Sequence, residues 1–308
     1  MKVAVFTVTG DQGSSVAKYL LEDKEKKYQV LGITRNVNSE KAQGLAKLGV
    51  ELIKGDLADP SSYAAQLEGI DAAFVNADFW THYLSNGYDA VEALESEKKD
   101  SIGAIDACVK AGVKHIVYST LDEVDKGECP HYESKNAVSR YLKEKGIPHT
   151  LLFTFNYFSN LVKFGQLKPP AEGGDEWLLD VPAPDDLRIP SYPAEQTGLW
   201  VKEAFDNRDT WIGKNIYANT SSPTPLEMAR SLSRKFNATV TTAHVTLEQF
   251  QTEEHKQKIG EELWLAYKVI MNGKMYHAPE TIAVLPGAWT FEDWIDQDQT
   301  LKQWFSKE

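Results

Sequence analysis

The stretch Val3-Ala4-Val5-Phe6-Thr7-Val8-Thr9-Gly10-Asp11-Gln12-Gly13-Ser14-Ser15-Val16 decides how the rest of the chain is read. Its apolar, β-branched run Val3–Val8 reads as a strand, and Val16, Leu20 and Leu21 follow at helical spacing. A helix that starts just after a strand points its first amides and positive dipole end at the connecting loop, which suits a pyrophosphate. Gly10 lets the backbone approach the phosphates, and Gly13 lets the helix lie close to the strand. With Thr7, Thr9, Asp11 and Gln12 they make a candidate phosphate-binding loop. The first glycine of the usual triplet is absent, and Thr7 stands in its place. That glycine serves a tight turn, and a β-branched residue tolerates unusual dihedrals poorly, so Thr7 is expected to weaken the site.

Working outward, further strands are expected at Val30–Thr34, Val50–Lys54, Ala72–Asn76, Ile116–Ser119 and Thr150–Thr154. Helical stretches separate them, including the apolar stripe Val91, Leu94, Ile102, Ile105 and Val109, with Gly112 placed to end it. Strand alternating with helix implies right-handed crossovers and a parallel sheet. The pattern fades after the sixth strand, whereas a closed barrel needs more units. The expectation is an α/β protein with a Rossmann-type doubly wound parallel sheet and a smaller C-terminal α/β lobe. Residues 1–155 would form the Rossmann domain, joined by a returning segment near 190–220, and 156–308 mainly the lobe. In that second half, Lys168–Asp175 and Val181–Asp186 read as loops and Ala238–Val245 as a strand. Thr224-Pro225-Leu226-Glu227 and Thr246-Leu247-Glu248-Gln249 have the form of capping boxes. Seven of the eight Trp lie beyond residue 170, which points to an aromatic-rich lobe.

The net charge of -12 over 308 residues argues against direct nucleic-acid binding, which needs a basic surface. Cys108 and Cys129 lack paired metal spacing, so no metal is expected; they read as a buried small residue and a loop thiol in a reducing compartment. No apolar run reaches the ~18–20 residues of a membrane span, and the start is strand-like instead of signal-like. The expected location is the cytoplasm, with the nucleus also open to it.

The second strand ends Gly32-Ile33-Thr34-Arg35-Asn36, without the carboxylate that holds the ribose hydroxyls of NAD. Arg35 suits a 2′-phosphate, so NADP(H) is favoured over NAD(H). Asp56, after the third strand, either faces the adenine or caps the following turn. A helix beginning near Pro130 carries His131, Lys135, Val138 and Leu142 on one stripe. Val138 and Leu142 must face the sheet, and Lys135 with them, where it either snorkels or hydrogen-bonds the nicotinamide ribose. Ser119 and Thr120 end the fifth strand, on the side where parallel sheets gather ligands.

With these residues assembled, the chain resembles the NmrA-like family, an atypical branch of the short-chain dehydrogenase/reductase superfamily. The likeness rests on Thr9-Gly10-Asp11-Gln12-Gly13-Ser14-Ser15-Val16, Thr34-Arg35-Asn36, Gly55-Asp56-Leu57 and Asn76-Ala77-Asp78-Phe79-Trp80. It continues through Ala111-Gly112-Val113-Lys114-His115-Ile116-Val117-Tyr118-Ser119, His131 with Lys135, and the closing Trp289-Thr290-Phe291-Glu292-Asp293-Trp294. The resemblance implies a Rossmann domain binding NADP(H), with Asn76 and Asn156 also near the cofactor, and a lobe closing over it. It implies either a redox sensor that binds regulatory protein partners, including transcription factors, or a reductase of small quinone-like or aromatic carbonyl substrates. The superfamily's catalytic Tyr, four residues before the Lys, is replaced by His131, and Tyr132 is one residue out of register. That departure favours the sensor with little or no dehydrogenase activity. The reductase reading would use Lys135, His131 and Ser119, with Phe79, Trp80, Phe155, Tyr157 and Phe158 lining the substrate. A third reading, an interaction module whose nucleotide site has decayed, rests on Thr7.

Overall fold

Seven strands in parallel register form the large sheet of the computed structural model, which describes residues 1–273 and 285–306. The chain divides into two compact units, Met1–Thr154 with Ala194–Ala218, and Phe155–Pro193 with Asn219–Glu308. In the first, the strands are β1 (Lys2–Val5), β2 (Gln29–Thr34), β3 (Glu51–Lys54), β4 (Ala72–Val75), β5 (Ile116–Thr120), β6 (His149–Phe153) and β7 (Asn215–Tyr217). Their spatial order is 7-6-5-4-1-2-3, every pair parallel, so the order reverses between β1 and β4. This is the doubly wound Rossmann arrangement, with its ligand crevice at that switch point. Val3, Ala4, Val5 and Ala72–Val75 are fully buried, as expected of a sheet covered on both faces.

The helices of this unit are α1 (Asp11–Leu21), α2 (Glu40–Lys47), α3 (Phe79–Ser85), α4 (Ala90–Lys110), α5 (Pro130–Glu144), α6 (Thr197–Asp206) and α7 (Arg208–Trp211). Two glycines set how closely α1 is held. A Cβ on Gly13 would lie 2.4 Å from the Thr7 carbonyl oxygen, and one on Gly198 of α6 would lie 2.5 Å from that of Ser15. Ser15 Oγ also donates to the Glu195 carbonyl at 2.6 Å and accepts the Gly198 amide at 2.9 Å. Trp200 and Trp211 therefore belong to this unit and not to an aromatic lobe, a correction to the sequence expectation.

The expected stripe on α4 is also corrected. Of its five residues only Ile105 is fully buried, while Val91 and Val109 are 69% and 46% exposed. The helix instead buries Ala93, Glu97, Asp100, Ser101, Ala104, Ala107 and Cys108 beside Ile105. Small side chains let α4 lie close, and partners for its two carboxylates make their burial tolerable. Cys129, expected in a loop, is buried at the N-cap of α5.

The second unit holds a three-stranded sheet in which Glu176–Leu179 pairs with Thr239–Thr242 in parallel and with Leu167–Lys168 antiparallel. Asn156–Tyr157 and Ser191–Tyr192 form a separate parallel pair. Both expected capping boxes are present, and Thr290 with Asp293 makes a third. No helix among the described residues is long and apolar enough to cross a membrane.

His115, just before β5, is fully buried, its Nε2 2.9 Å from Thr150 Oγ1 and its ring edge-on to Phe205. Burial lowers its pKa to about 4, with the Arg208 charge acting in the same direction. The unfolded chain therefore takes up a proton, near pH 6.5, that the folded chain refuses. Stability should be full above that pH and fall by up to ~3 kcal/mol as pH drops through about 4. His115→Gln should flatten this slope in urea titrations between pH 4 and 7; an unchanged slope would show that other groups cause it.

Candidate functional site

Thr7 adopts the left-handed conformation, at φ 49°, that the missing glycine would take. A β-branched residue there costs ~1–2 kcal/mol. Its hydroxyl donates to the Phe6 carbonyl at 2.8 Å and lies 3.3 Å from the Asn76 carbonyl oxygen, bonds glycine cannot make. The Gly10 amide donates back to the Thr7 carbonyl at 2.8 Å, closing the turn. Gly10 is the N-cap of α1 and has no side chain to satisfy the first-turn amides, so the helix start keeps its anion-binding character. Asp11 and Gln12 begin that helix, and Thr9 Oγ1 sits 3.3 Å from Thr34 Oγ1, tying the loop to the end of β2. Arg35 follows directly and is exposed.

Asp56 is exposed after β3, where its Oδ1 accepts the Ala58 amide at 3.1 Å. It thus caps the following turn, the second of the two roles expected of it. Asn76 ends β4, half-buried beside the Thr7 hydroxyl. Ser119, near the C-terminal end of β5, is fully buried, and its hydroxyl has no partner among the described residues. Thr120 Oγ1 lies 2.8 Å from Ser139 Oγ.

On α5, Lys135 is 9% exposed, turned towards the sheet as its spacing required. The sequence reading missed what meets it there. Lys135 Nζ donates to Glu97 Oε1 at 2.8 Å and to the Ala77 carbonyl at 3.3 Å. Glu97 is fully buried, also accepts the Phe79 amide at 3.2 Å, and takes a bond from Ser134 Oγ through Oε2. One carboxylate of α4 thereby ties down the start of α3 and the second turn of α5. The signal was legible as Ala93, Glu97, Ser101, Ala104 and Cys108, a small-residue face with an acid in it.

His131 lies one turn before Lys135, buried, with its Nδ1 3.4 Å from Cys129 Sγ. Its ring packs against Phe79 at 5.6 Å, Trp80 at 5.2 Å and Tyr132 at 4.5 Å. Phe79 is buried and Trp80 is 37% exposed. The first unit thus carries the glycine loop, Arg35, Asn76, Ser119, His131 and Lys135 at or beyond the C-terminal ends of its strands.

The remaining expected residues lie in the second unit. Asn156 Nδ2 donates to Ser191 Oγ at 3.3 Å, and its Oδ1 accepts from Asn160 at 2.8 Å. Tyr157 is half-buried, edge-on to Tyr192. Phe155 is 4% and Phe158 1% exposed, the latter packed on Phe291 and Trp294. Phe158 thus packs in the core of this unit, against the closing helix.

The model of the NmrA-like family matches residues 1–297. The chain belongs to the NmrA-like family. It is 26% identical over 250 residues to an NmrA-like family domain-containing protein of Dictyostelium discoideum, covering 78% of each chain. It is 34% identical over 212 residues to an NmrA-like family domain-containing oxidoreductase of Malbranchea aurantiaca, covering 60% of this chain and 61% of that one. Among solved structures it resembles NmrA, a negative transcriptional regulator, in complex with NADP, with a TM-score of 0.74 at 19% identity, over 98% of this chain and 96% of that one. It also resembles an Escherichia coli NADPH-dependent quinone oxidoreductase complexed with NADPH, with a TM-score of 0.73 at 20% identity, over 96% and 99%. The likeness to NmrA and to the reductase shows that this NmrA-like protein shares their fold.

The loop geometry yields a direct test. Gly13→Ala places a methyl against the Thr7 carbonyl carbon and Val8 Cα, each 2.9 Å away, as well as the carbonyl oxygen. These are backbone atoms, so α1 must shift, and a loss of ~2 kcal/mol is expected in urea unfolding. Wild-type stability in this variant would mean that α1 is not held as described.

Proposed function

We propose that this NmrA-like protein binds NADP(H) in its first unit and acts as a redox-sensing or regulatory protein with little or no dehydrogenase turnover. The observation that carries the reading is the pairing on α5. The superfamily's tyrosine position holds His131, which is buried beside Cys129, and the neighbouring Lys135 is engaged by the buried Glu97. A site so arranged can hold a ribose through Lys135 but has an imidazole, not a phenol, at the superfamily's tyrosine position.

The residues fit the cofactor. The Thr7-to-Gly10 turn and the start of α1, with Thr9, Asp11, Gln12 and Gly13, suit a pyrophosphate. Any side chain at Gly13 would fill space that backbone already occupies. Arg35 at the end of β2 suits a 2′-phosphate, and Asn76 and Lys135 the nicotinamide end. The nicotinamide, when bound, supplies either hydride transfer or a report of the NADPH to NADP⁺ ratio. Complexes of NmrA, a structural neighbour, with NADP and with NAD support a nicotinamide cofactor, and its description as a negative transcriptional regulator supports the regulatory role. A protein partner in the cytoplasm or nucleus accords with two buried cysteines, Cys108 and Cys129, that are not joined in a disulfide.

A second reading, an NADPH-dependent reductase of a small quinone-like or aromatic carbonyl substrate, is favoured by the buried Ser119 hydroxyl, unpartnered among the described residues, and by the likeness to the oxidoreductase of Malbranchea aurantiaca. Phe79 and Trp80 beside His131 would supply its aromatic wall.

Calorimetry separates these claims. Arg35→Ala should weaken NADP⁺ binding by about 2 kcal/mol, roughly 30-fold, while leaving NAD⁺ within about twofold. Equal losses for both nucleotides would contradict the assignment of Arg35. Steady NADPH oxidation with a quinone panel, abolished by Lys135→Ala, would replace the sensor by the reductase.

A further inference from the structure

The helix Pro225–Phe236 of the second unit carries Arg230 and Arg234 one turn apart, so both stand on one face, and both are exposed. Beside them lies a groove of about 400 Å³, open to solvent, whose walls also bear Arg188, Glu227, Ser231 and Glu292. Its two carboxylates are already engaged. Glu227 is gripped by Arg188 through both oxygens, at 3.1 and 3.2 Å, and accepts the Thr224 amide at 3.0 Å. The Thr224 amide and then Arg188 hold its carboxyl below the usual range, so it keeps its charge. Glu292 accepts from the Ser231 hydroxyl at 3.0 Å, and Ser231 Oγ in turn accepts from Arg234 at 3.2 Å. Arg230 lies near enough to Glu227 to help lower its pKa, yet no hydrogen bond or ion pair holds its guanidinium among the described residues. The acids of the adjoining helix do not supply one: Asp296 pairs with Lys235, and Asp293 is bound to Thr290 in its capping box.

Three guanidinium groups thus face two carboxylates, an excess of positive charge in a chain of net charge -12. Like charges at this helical spacing repel, and an anion between them relieves the repulsion. The shape of the groove selects the kind of anion. Small ligands are held in enclosed, largely apolar sites, whereas this groove is open and polar, and Phe291 in its lining is only 1% exposed. Guanidinium forks take carboxylates through two parallel bonds. Four residues of helix advance about 6 Å, close to the ~6.6 Å between alternate residues of an extended chain. We infer that this groove docks an extended acidic segment of a partner protein, with carboxylates two residues apart meeting Arg230 and Arg234. The site belongs wholly to the second unit. The inference names the chemistry of the partner in the regulatory reading, and rests on that reading for there being one.

The test measures fluorescence anisotropy of two capped, labelled peptides of one composition, their two aspartates either separated by one residue or side by side. The wild type should bind the first saturably below millimolar concentration. It should bind the second at least about fivefold more weakly, because adjacent residues of an extended chain point to opposite sides. Added salt should weaken the first complex. Arg230→Gln, at an exposed position, should keep the wild-type urea midpoint and lose about tenfold in affinity for the first peptide. Lys235→Gln, which removes a charge from the same helix outside the groove, should stay within about twofold of wild type. Equal affinity for the two peptides, no saturable binding, or equal losses in the two variants would overturn the proposal. So would displacement of the peptide by millimolar inorganic phosphate at constant ionic strength, which would assign the groove to a small anion. Self-association that is lost in Arg230→Gln would likewise overturn it, assigning the groove to a second copy. NADPH binding, followed by quenching of tryptophan fluorescence, separates this inference from the cofactor reading. Peptide binding without NADPH binding leaves the groove standing and removes that reading; NADPH binding without peptide binding does the reverse.

Discussion

The arrangement of the first unit depends on how tightly α1 is held. Its N-terminal turn lies against the backbone of the β1 loop through Gly13, and its second turn lies against α6 through Gly198. Neither position has room for a methyl group without moving backbone atoms. These two contacts fix where the helix begins, and the beginning of the helix is the part with chemical consequence. The uncapped amide end of α1 opens at the reversal of strand order between β1 and β4, where a doubly wound sheet leaves its crevice.

Thr7 shows how a departure from the usual loop can preserve its geometry. The turn requires a positive φ, and threonine adopts it against its own preference. Bonds from its hydroxyl to Phe6 and Asn76 offset part of that strain and link the loop to β4, the strand on the other side of the crevice. The same economy appears on α5, where a carboxylate from α4 fixes the lysine and also the start of α3. Positions across three helices are thus coupled through one buried group.

Much of the fold was legible in the sequence, because the strands of a doubly covered parallel sheet are continuous β-branched runs separated by glycines and caps. The inward direction of Lys135 was equally legible, since Val138 and Leu142 on the same stripe leave the helix no other way to face. The α4 face was not. Its buried side is built from Ala, Ser, Cys and two acids, and hydropathy alone assigns such a face to water; only the tertiary pairing with Lys135 and His82 reverses the assignment. The surroundings of Phe158 were not legible either: an aromatic just after a strand end is as well suited to a pocket wall as to a core, and its packing on Phe291 and Trp294 comes from residues more than a hundred positions away. The final strand of the large sheet, Asn215–Tyr217, is only three residues long, too short for periodicity to reveal.

Membership of the NmrA-like family leaves regulation and reduction both open, since proteins of this fold include a transcriptional regulator and a quinone oxidoreductase. What unites the present account is the claim that α1, Arg35 and Lys135 address one NADP(H) molecule. A crystal structure determined in the presence of saturating NADP⁺ tests that claim most directly. The account predicts density for the pyrophosphate at the first-turn amides of α1, for the 2′-phosphate against Arg35, and for the nicotinamide ribose at Lys135. A nucleotide ordered with its 2′-phosphate away from Arg35, or no ordered nucleotide at saturation, would contradict it.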